Sequence, residues 1–280
     1  MQDHGTFFRD AEPKAREAGI LPPDSYDFYK ALFEYHSARF SAYRALIPGL
    51  SVTEAPAPPV LAPGSVTLNE EASRALAEGL RDLVDIVARF NTGMSLEALR
   101  SAPAEGIARI AIDAFLSRDM EPLSGAASGY RIGFDELVFV ALNWLKPFFA
   151  AIAATVRERV KDDEWFKPAC PVCGYFPDMA RITAAGEGRR HLHCALCETE
   201  WTYPRIQCAI CENTNAELLG FLVEEGNARH RVEVCDSCKG YIKTVVIPKF
   251  QEPGSVDLTV ENVLTAGLDA AAMEKGYSRP

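Results

Sequence analysis

The chain has 280 residues, 48% of them hydrophobic, and a formal net charge of -10. A chain of this length buries a substantial core and fits one or two domains, and its acidic balance argues against a general nucleic-acid binder. The opening stretch, MQDHGTFFRDAEPKAREAG, lacks the apolar core of a secretory signal, so the expectation is a reducing, cytoplasmic setting with free thiols.

From Tyr26 to Leu46, apolar residues recur at Tyr29, Leu32, Phe33, Phe40 and Tyr43, the spacing of an amphipathic helix. His36 falls on that stripe and reads as a core or boundary histidine rather than a ligand. Residues 51–66, SVTEAPAPPVLAPGSV, break the pattern with Pro56, Pro58, Pro59 and Pro63 and read as an extended connector. Thr67 and Glu70 fit a capping box with Thr67 as the N-cap. The helix that follows would bury Leu68, Ala72, Leu76, Leu80, Leu83, Val84, Val87 and Phe90, and Asn91, Thr92 and Gly93 supply its stop.

Pro103 suits the first turn of another helix, one that carries Ile107, Ile110, Ala111, Ala114 and Phe115. The longest apolar region, Phe134 to Val156, is interrupted by Asp135, Glu136, Asn143, Lys146 and Pro147. A membrane span wants about 20 nearly uninterrupted apolar residues, so this region predicts a buried helix. Helices joined by short connections make a bundle. This half shows no glycine-rich phosphate loop, no paired His-x3-His and no nucleophile motif.

After Lys161–Glu164 the texture changes to short β-like runs. Residues 179–183 and 189–193 flank a glycine-containing turn, as do 218–223 and 229–234, and further strands follow at 200–203 and 241–247. Between these runs lie all eight cysteines, in four C-x2-C pairs: Cys170 and Cys173, Cys194 and Cys197, Cys208 and Cys211, Cys235 and Cys238. In a reducing compartment, such pairs about 20 residues apart read as tetrathiolate metal sites. Gly174, just past the first pair, lets the backbone amides turn toward the sulfurs.

The unit of knuckle, hairpin, knuckle and strand is written twice, and this repeat favours two modules over a cross-brace between alternate pairs. The first two pairs would then share one ion and the last two another. Four thiolates suit zinc, and the Cys-Pro-x-Cys-Gly form at Cys170 equally suits iron. Thioredoxin-like chemistry wants a single pair at a helix N-terminus, whereas these flanks are strands. His191 and His193 share one strand face ahead of Cys194 and are superfluous as ligands when eight cysteines are present. Trp201 and Tyr203 read as a small apolar layer beneath the ribbon. Residues 165–250 carry ten Lys and Arg against ten Asp and Glu, so the segment lacks the basic surplus of a ribbon that grips phosphates.

The stretches CPVCGYFP, RRHLHCALCETEW, CAICEN and VEVCDSCKGYIK, behind a helical half and ahead of the tail DLTVENVLTAGLDAAAMEKGY, resemble the formate dehydrogenase accessory proteins of the FdhE family. The resemblance is diagnostic from about Pro168 to Lys243, and all eight cysteines match. It implies a non-enzymatic cytoplasmic maturation chaperone that binds the catalytic subunit of formate dehydrogenase, with rubredoxin-like sites reported to hold iron. The expected fold is α+β multidomain: an N-terminal helical bundle (1–164), two tandem rubredoxin-like or zinc-ribbon modules (165–206 and 207–250) and a C-terminal helical tail (251–280). Two ions per chain are expected, iron or alternatively zinc, without nucleic-acid partner or membrane insertion and with homodimerisation left open. A rubredoxin-like electron carrier is the rival function.

Overall fold

The computed structural model describes residues 3–279 except 91, 92, 95, 162, 163, 185–187, 225 and 250. The predicted stop at Asn91 and Thr92, and part of both hairpin turns, therefore lie outside the described residues.

The N-terminal half is helical: α1 (His4–Glu17), α2 (Pro23–Leu46), α3 (Glu70–Phe90), the single turn α4 (Glu97–Arg100), α5 (Ala104–Ser117), α6 (Glu121–Tyr130) and α7 (Phe134–Val156). The stripes do what their spacing demands. Leu32, Phe33 and Tyr43 of α2 are buried, as are Leu76, Leu80, Leu83, Val84 and Val87 of α3. The apolar α7 has the length and composition of a membrane span, yet it is mostly buried in the fold, with Trp144, Leu145, Phe148 and Phe149 at the centre of the largest apolar cluster. Each such side chain contributes roughly 1.5–3 kcal/mol on burial.

Three details differ from the sequence reading. Helix α3 begins at Glu70, and its N-cap is Asn69, whose Oδ1 accepts from the Ala72 amide at 2.8 Å. Thr67 is instead drawn into a two-residue ladder in which β1 (Ser51–Val52) pairs with β2 (Val66–Thr67), closing the proline-rich connector into a loop. Ile110 points to solvent, while Ile107, Ala111, Ala114 and Phe115 face inward. Helices α1 and α6 carry no legible apolar stripe, because their apolar positions are few and interrupted by Pro13 in one and by small residues in the other.

The C-terminal half is built on one sheet of six strands: β3 (Pro177–Thr183), β4 (Arg189–Cys194), β5 (Glu200–Tyr203), β6 (Leu219–Leu222), β7 (His230–Cys235) and β8 (Gly240–Ile247), in the order β5-β4-β3-β8-β7-β6. Each repeat contributes an antiparallel hairpin and a third strand. The two repeats join where β3 and β8 run parallel, with Met179 opposite Lys243 and Thr183 opposite Ile247. The architecture is therefore α+β, a helical bundle followed by two ribbon-like modules. The modules share one continuous sheet, and the tail, α8 (Leu258–Leu264) and α9 (Ala266–Glu274), folds back against it.

Candidate metal centre

Four tight knuckles bring the thiols together. After the second cysteine of each pair the backbone turns left-handed, at Gly174 (φ 74°), Glu198 (φ 58°), Glu212 (φ 61°) and Lys239 (φ 56°). The first is the glycine visible in the sequence. The other three hold the same turn with side chains that ordinarily disfavour it. The chain then folds back so that amides point at sulfur. The Val172 amide donates to Cys170 Sγ and the Leu196 amide to Cys194 Sγ, each at 3.4 Å, and the Ile210 amide donates to Cys208 Sγ at 3.4 Å.

The sulfurs assemble in the sequential arrangement: Cys170, Cys173, Cys194 and Cys197 in one group, Cys208, Cys211, Cys235 and Cys238 in the other, each within 4.8 Å of its companions. Cross-pair separations are 3.5 Å (Cys170–Cys197) and 3.4 Å (Cys173–Cys194) in the first, and 3.8 Å for both Cys208–Cys238 and Cys211–Cys235 in the second. Tetrahedral thiolate ligation at metal–sulfur distances of about 2.3 Å places sulfurs about 3.8 Å apart. Both donor sets fit one such ion, so the two groups could hold two ions, and their chemistry accepts zinc and iron alike.

The surroundings of the two groups are unlike. In the first, every cysteine is buried, and all four join the apolar cluster that contains α7. Burial pushes the Cys173 and Cys194 thiols well above the ordinary thiol range. The connector loop seals this group from outside: the Val60 amide donates to the Pro171 carbonyl at 3.1 Å and the Leu61 amide to that of Val172 at 2.8 Å. In the second group Cys211 is exposed and Cys238 half-buried. Desolvation there is outweighed by amide donors from Cys238 and Ser237, and Cys235 is brought down to about 7.

Neither His191 nor His193 belongs to a sulfur group. His193 is buried and pairs through Nδ1 with Asp178 Oδ1 at 2.7 Å. Trp201 and Tyr203 are buried beneath the ribbon, their polar ends spent on the carbonyls of Lys167 (3.0 Å) and Cys208 (2.8 Å). His36 is a core histidine, bonded through Nε2 to the Asn143 carbonyl at 3.0 Å, and burial holds its pKa down to about 3.

The sequence reading missed a buried polar junction beside the first group. His4 donates from Nδ1 to Asp257 Oδ2 (2.5 Å) and from Nε2 to Glu198 Oε1 (2.8 Å), which ties α1, the knuckle after Cys197 and the cap of α8 into one node. Burial alone would lower the His4 pKa, but the two facing carboxylates raise it to about 9. Nearby, Lys243 Nζ is anchored on Asn262 O (2.6 Å) and Asp269 Oδ2 (2.6 Å), which holds the tail to β8. The partners of His4 lie 194 and 253 positions away in the chain, and no local pattern announces them.

Fold and donor sets define a helical-bundle protein that carries a pair of fused four-cysteine ribbons. Residues 169–205 match the family model for the central domain of FdhE. Proteins described as FdhE homologues are similar to this chain: one from Aquifex aeolicus is 31% identical over 52% of this chain and 50% of its own length, and one from Haemophilus influenzae is 39% identical over 53% and 48%. The chain spans about half the length of the curated relatives it matches. The crystal structure of the FdhE protein from Pseudomonas aeruginosa shares the fold, with a TM-score of 0.58 and 23% identity over 100% of this chain and 94% of that one. The resemblance to the FdhE family is borne out.

Proposed function

We propose that this protein is a cytoplasmic, non-enzymatic maturation factor for formate dehydrogenase, which binds the catalytic subunit so that active enzyme can assemble. All eight cysteines serve as ligands in this reading, four to each of two ions, with iron the expected metal and zinc the alternative. The helical part (1–164) and the two ribbons (165–206 and 207–250), braced by the tail (251–280), act as one rigid binding body. No nucleic acid and no membrane takes part.

The observation that carries the reading is the completeness of the donor sets. Four sulfurs fill a tetrahedral shell and leave no position for water or substrate. Such ions organise a fold, and activity then resides in what the surface binds. The FdhE likeness supports formate dehydrogenase as the client.

The test is a deletion strain with no second copy, assayed for formate oxidation, together with recovery of the catalytic subunit on the tagged protein. Loss of activity with the subunit still synthesised, and its co-purification, are expected. Full activity in the deletion and no recovered subunit would overturn the reading. A reversible iron couple in that same protein would then favour the electron-carrier function.

A further inference from the structure

The duplication supplies its own template for a binding site. In the first ribbon, two backbone features are occupied by other parts of the chain: the knuckle carbonyls of Pro171 and Val172 by the Val60 and Leu61 amides of the connector loop, and the outer edge of β3 by β8. The equivalent residues in the second ribbon, 38 positions on, are Ala209 and Ile210. Among the described residues their carbonyls accept no hydrogen bond, and β6, the counterpart of β3, is an outermost strand of the sheet with one edge unpaired.

Residues of both features, Ala209 and Ile210 of the knuckle and Leu219, Gly220 and Phe221 of β6, line one cavity of about 270 Å³. Ala209, Ile210, Leu219 and Phe221 line it on the ribbon side, and Ile206 and Arg205 close it from the linker between the modules. Ile206 and Phe221 are 65% and 60% exposed, and Val223 and Leu218 add further apolar surface beside them. The charged groups here are of one sign where they are free. Arg190 and Arg231 are both held on Glu233, and Arg205 makes no ion pair or hydrogen bond among the described residues.

We infer that this cavity receives an apolar polypeptide segment bearing an acidic side chain, contributed by the client protein, as the connector is received by the first ribbon. Amides of the segment would bond the carbonyls of Ala209 and Ile210, its apolar side chains would cover Ile206 and Phe221, and its carboxylate would pair with Arg205. The connector shows the type: Glu-Ala-Pro-Ala-Pro-Pro-Val-Leu-Ala-Pro, residues 54–63, is apolar, carries one acid and presents two consecutive amides, those of Val60 and Leu61, to the knuckle. Identifying the donor of the segment as the formate dehydrogenase catalytic subunit rests on the function proposed above.

The experiment measures binding of purified catalytic subunit to the full chain and to three variants, Phe221→Glu, Ile206→Glu and Arg205→Glu, with Ile20→Glu, exposed but remote, as the control. Metal content and melting temperature confirm that each variant folds. The expected result is about a tenfold or greater loss of affinity for Phe221→Glu and Ile206→Glu, a smaller and salt-sensitive loss for Arg205→Glu, and none for Ile20→Glu. Unchanged affinity in the first three would overturn the site while leaving the client reading intact. If the unmodified chain does not bind the subunit, the client reading fails. The cavity is then decided by fluorescence anisotropy with a labelled peptide of residues 54–63: binding abolished by Phe221→Glu keeps the segment-binding site, and no binding overturns it too. Dimerisation abolished by Phe221→Glu, without an effect on subunit binding, would assign the cavity to a second copy and overturn the inference.

Discussion

The two ribbons share one plan and differ in what surrounds them. The first is sealed: its four cysteines lie in the same apolar cluster as Trp144 and Phe148, the connector caps its knuckle, and the His4 node fixes the residue after Cys197. The second shows Cys211 to solvent, adds just Ala209 and Ile242 to that large cluster among the described residues, and sets a small one, Val232, Val234, Tyr241 and Ala272, against the tail. The difference teaches how a duplicated metal ribbon divides its labour. One copy becomes part of the hydrophobic core and the other remains a surface.

The strongest way to break this contrast is to remove ligands from each copy in turn. Replacing Cys170 and Cys173 together by serine should abolish folding of the sheet and its junction with the bundle, because structural metal binding is worth on the order of 10 kcal/mol and is coupled to folding. Replacing Cys208 and Cys211 should remove one ion and leave the bundle and the first ribbon folded. Elemental analysis with far-ultraviolet circular dichroism checks both. Equal damage from the two variants would mean that the shared sheet makes the ribbons one cooperative unit. A chelator sharpens the same point: the second ion should leave first, seen as two phases of metal release.

The His4 node comes next in size. His4→Ala leaves Glu198 and Asp257 buried without their cation and should lower stability by about 3–5 kcal/mol in a denaturant melt. The pH dependence has a definite sign. The folded pKa of about 9 lies above the ordinary 6.5, so the contribution is complete below pH 6.5 and is lost as pH rises through 9. The unmodified protein should lose on the order of 3 kcal/mol across that window through this group, and His4→Ala should lack that part of the slope.

The smallest expected effect compares matched turn positions. Gly174→Ala forces a side chain into a left-handed turn and against Pro59 Cγ at 3.3 Å, and should cost about 1–2 kcal/mol. Glu212→Gly, at the same place in the second ribbon, should stabilise by a few tenths to about 1 kcal/mol, since it relieves a left-handed residue. Thermal melts of the two variants, shifting in opposite directions, would confirm that the knuckles are equivalent in backbone and unequal in setting.

Local signals determined much of this protein. Spacing alone placed the eight thiols on four knuckles, the visible repeat favoured sequential grouping, and short β-like runs between turns located strands 177–183, 189–194, 230–235 and 240–247 to within a few residues. The stripes of α2, α3 and α7 named most of the core, because helical periodicity and burial on one face are the same fact. The Thr67 cap failed because a long-range partner, Ser51, took that residue into a ladder. Tertiary structure alone decided the rest. The parallel pairing of β3 with β8, the seating of the connector on the first knuckle and the His4–Glu198–Asp257 node all join residues far apart in the chain. Such contacts depend on which surfaces remain unburied after local structure forms, and a knuckle–hairpin–knuckle–strand pattern written twice does not say which copy will be enclosed. The order of the neighbours decides it: the bundle precedes the first ribbon and covers it, and the second is left with a short tail and an open face.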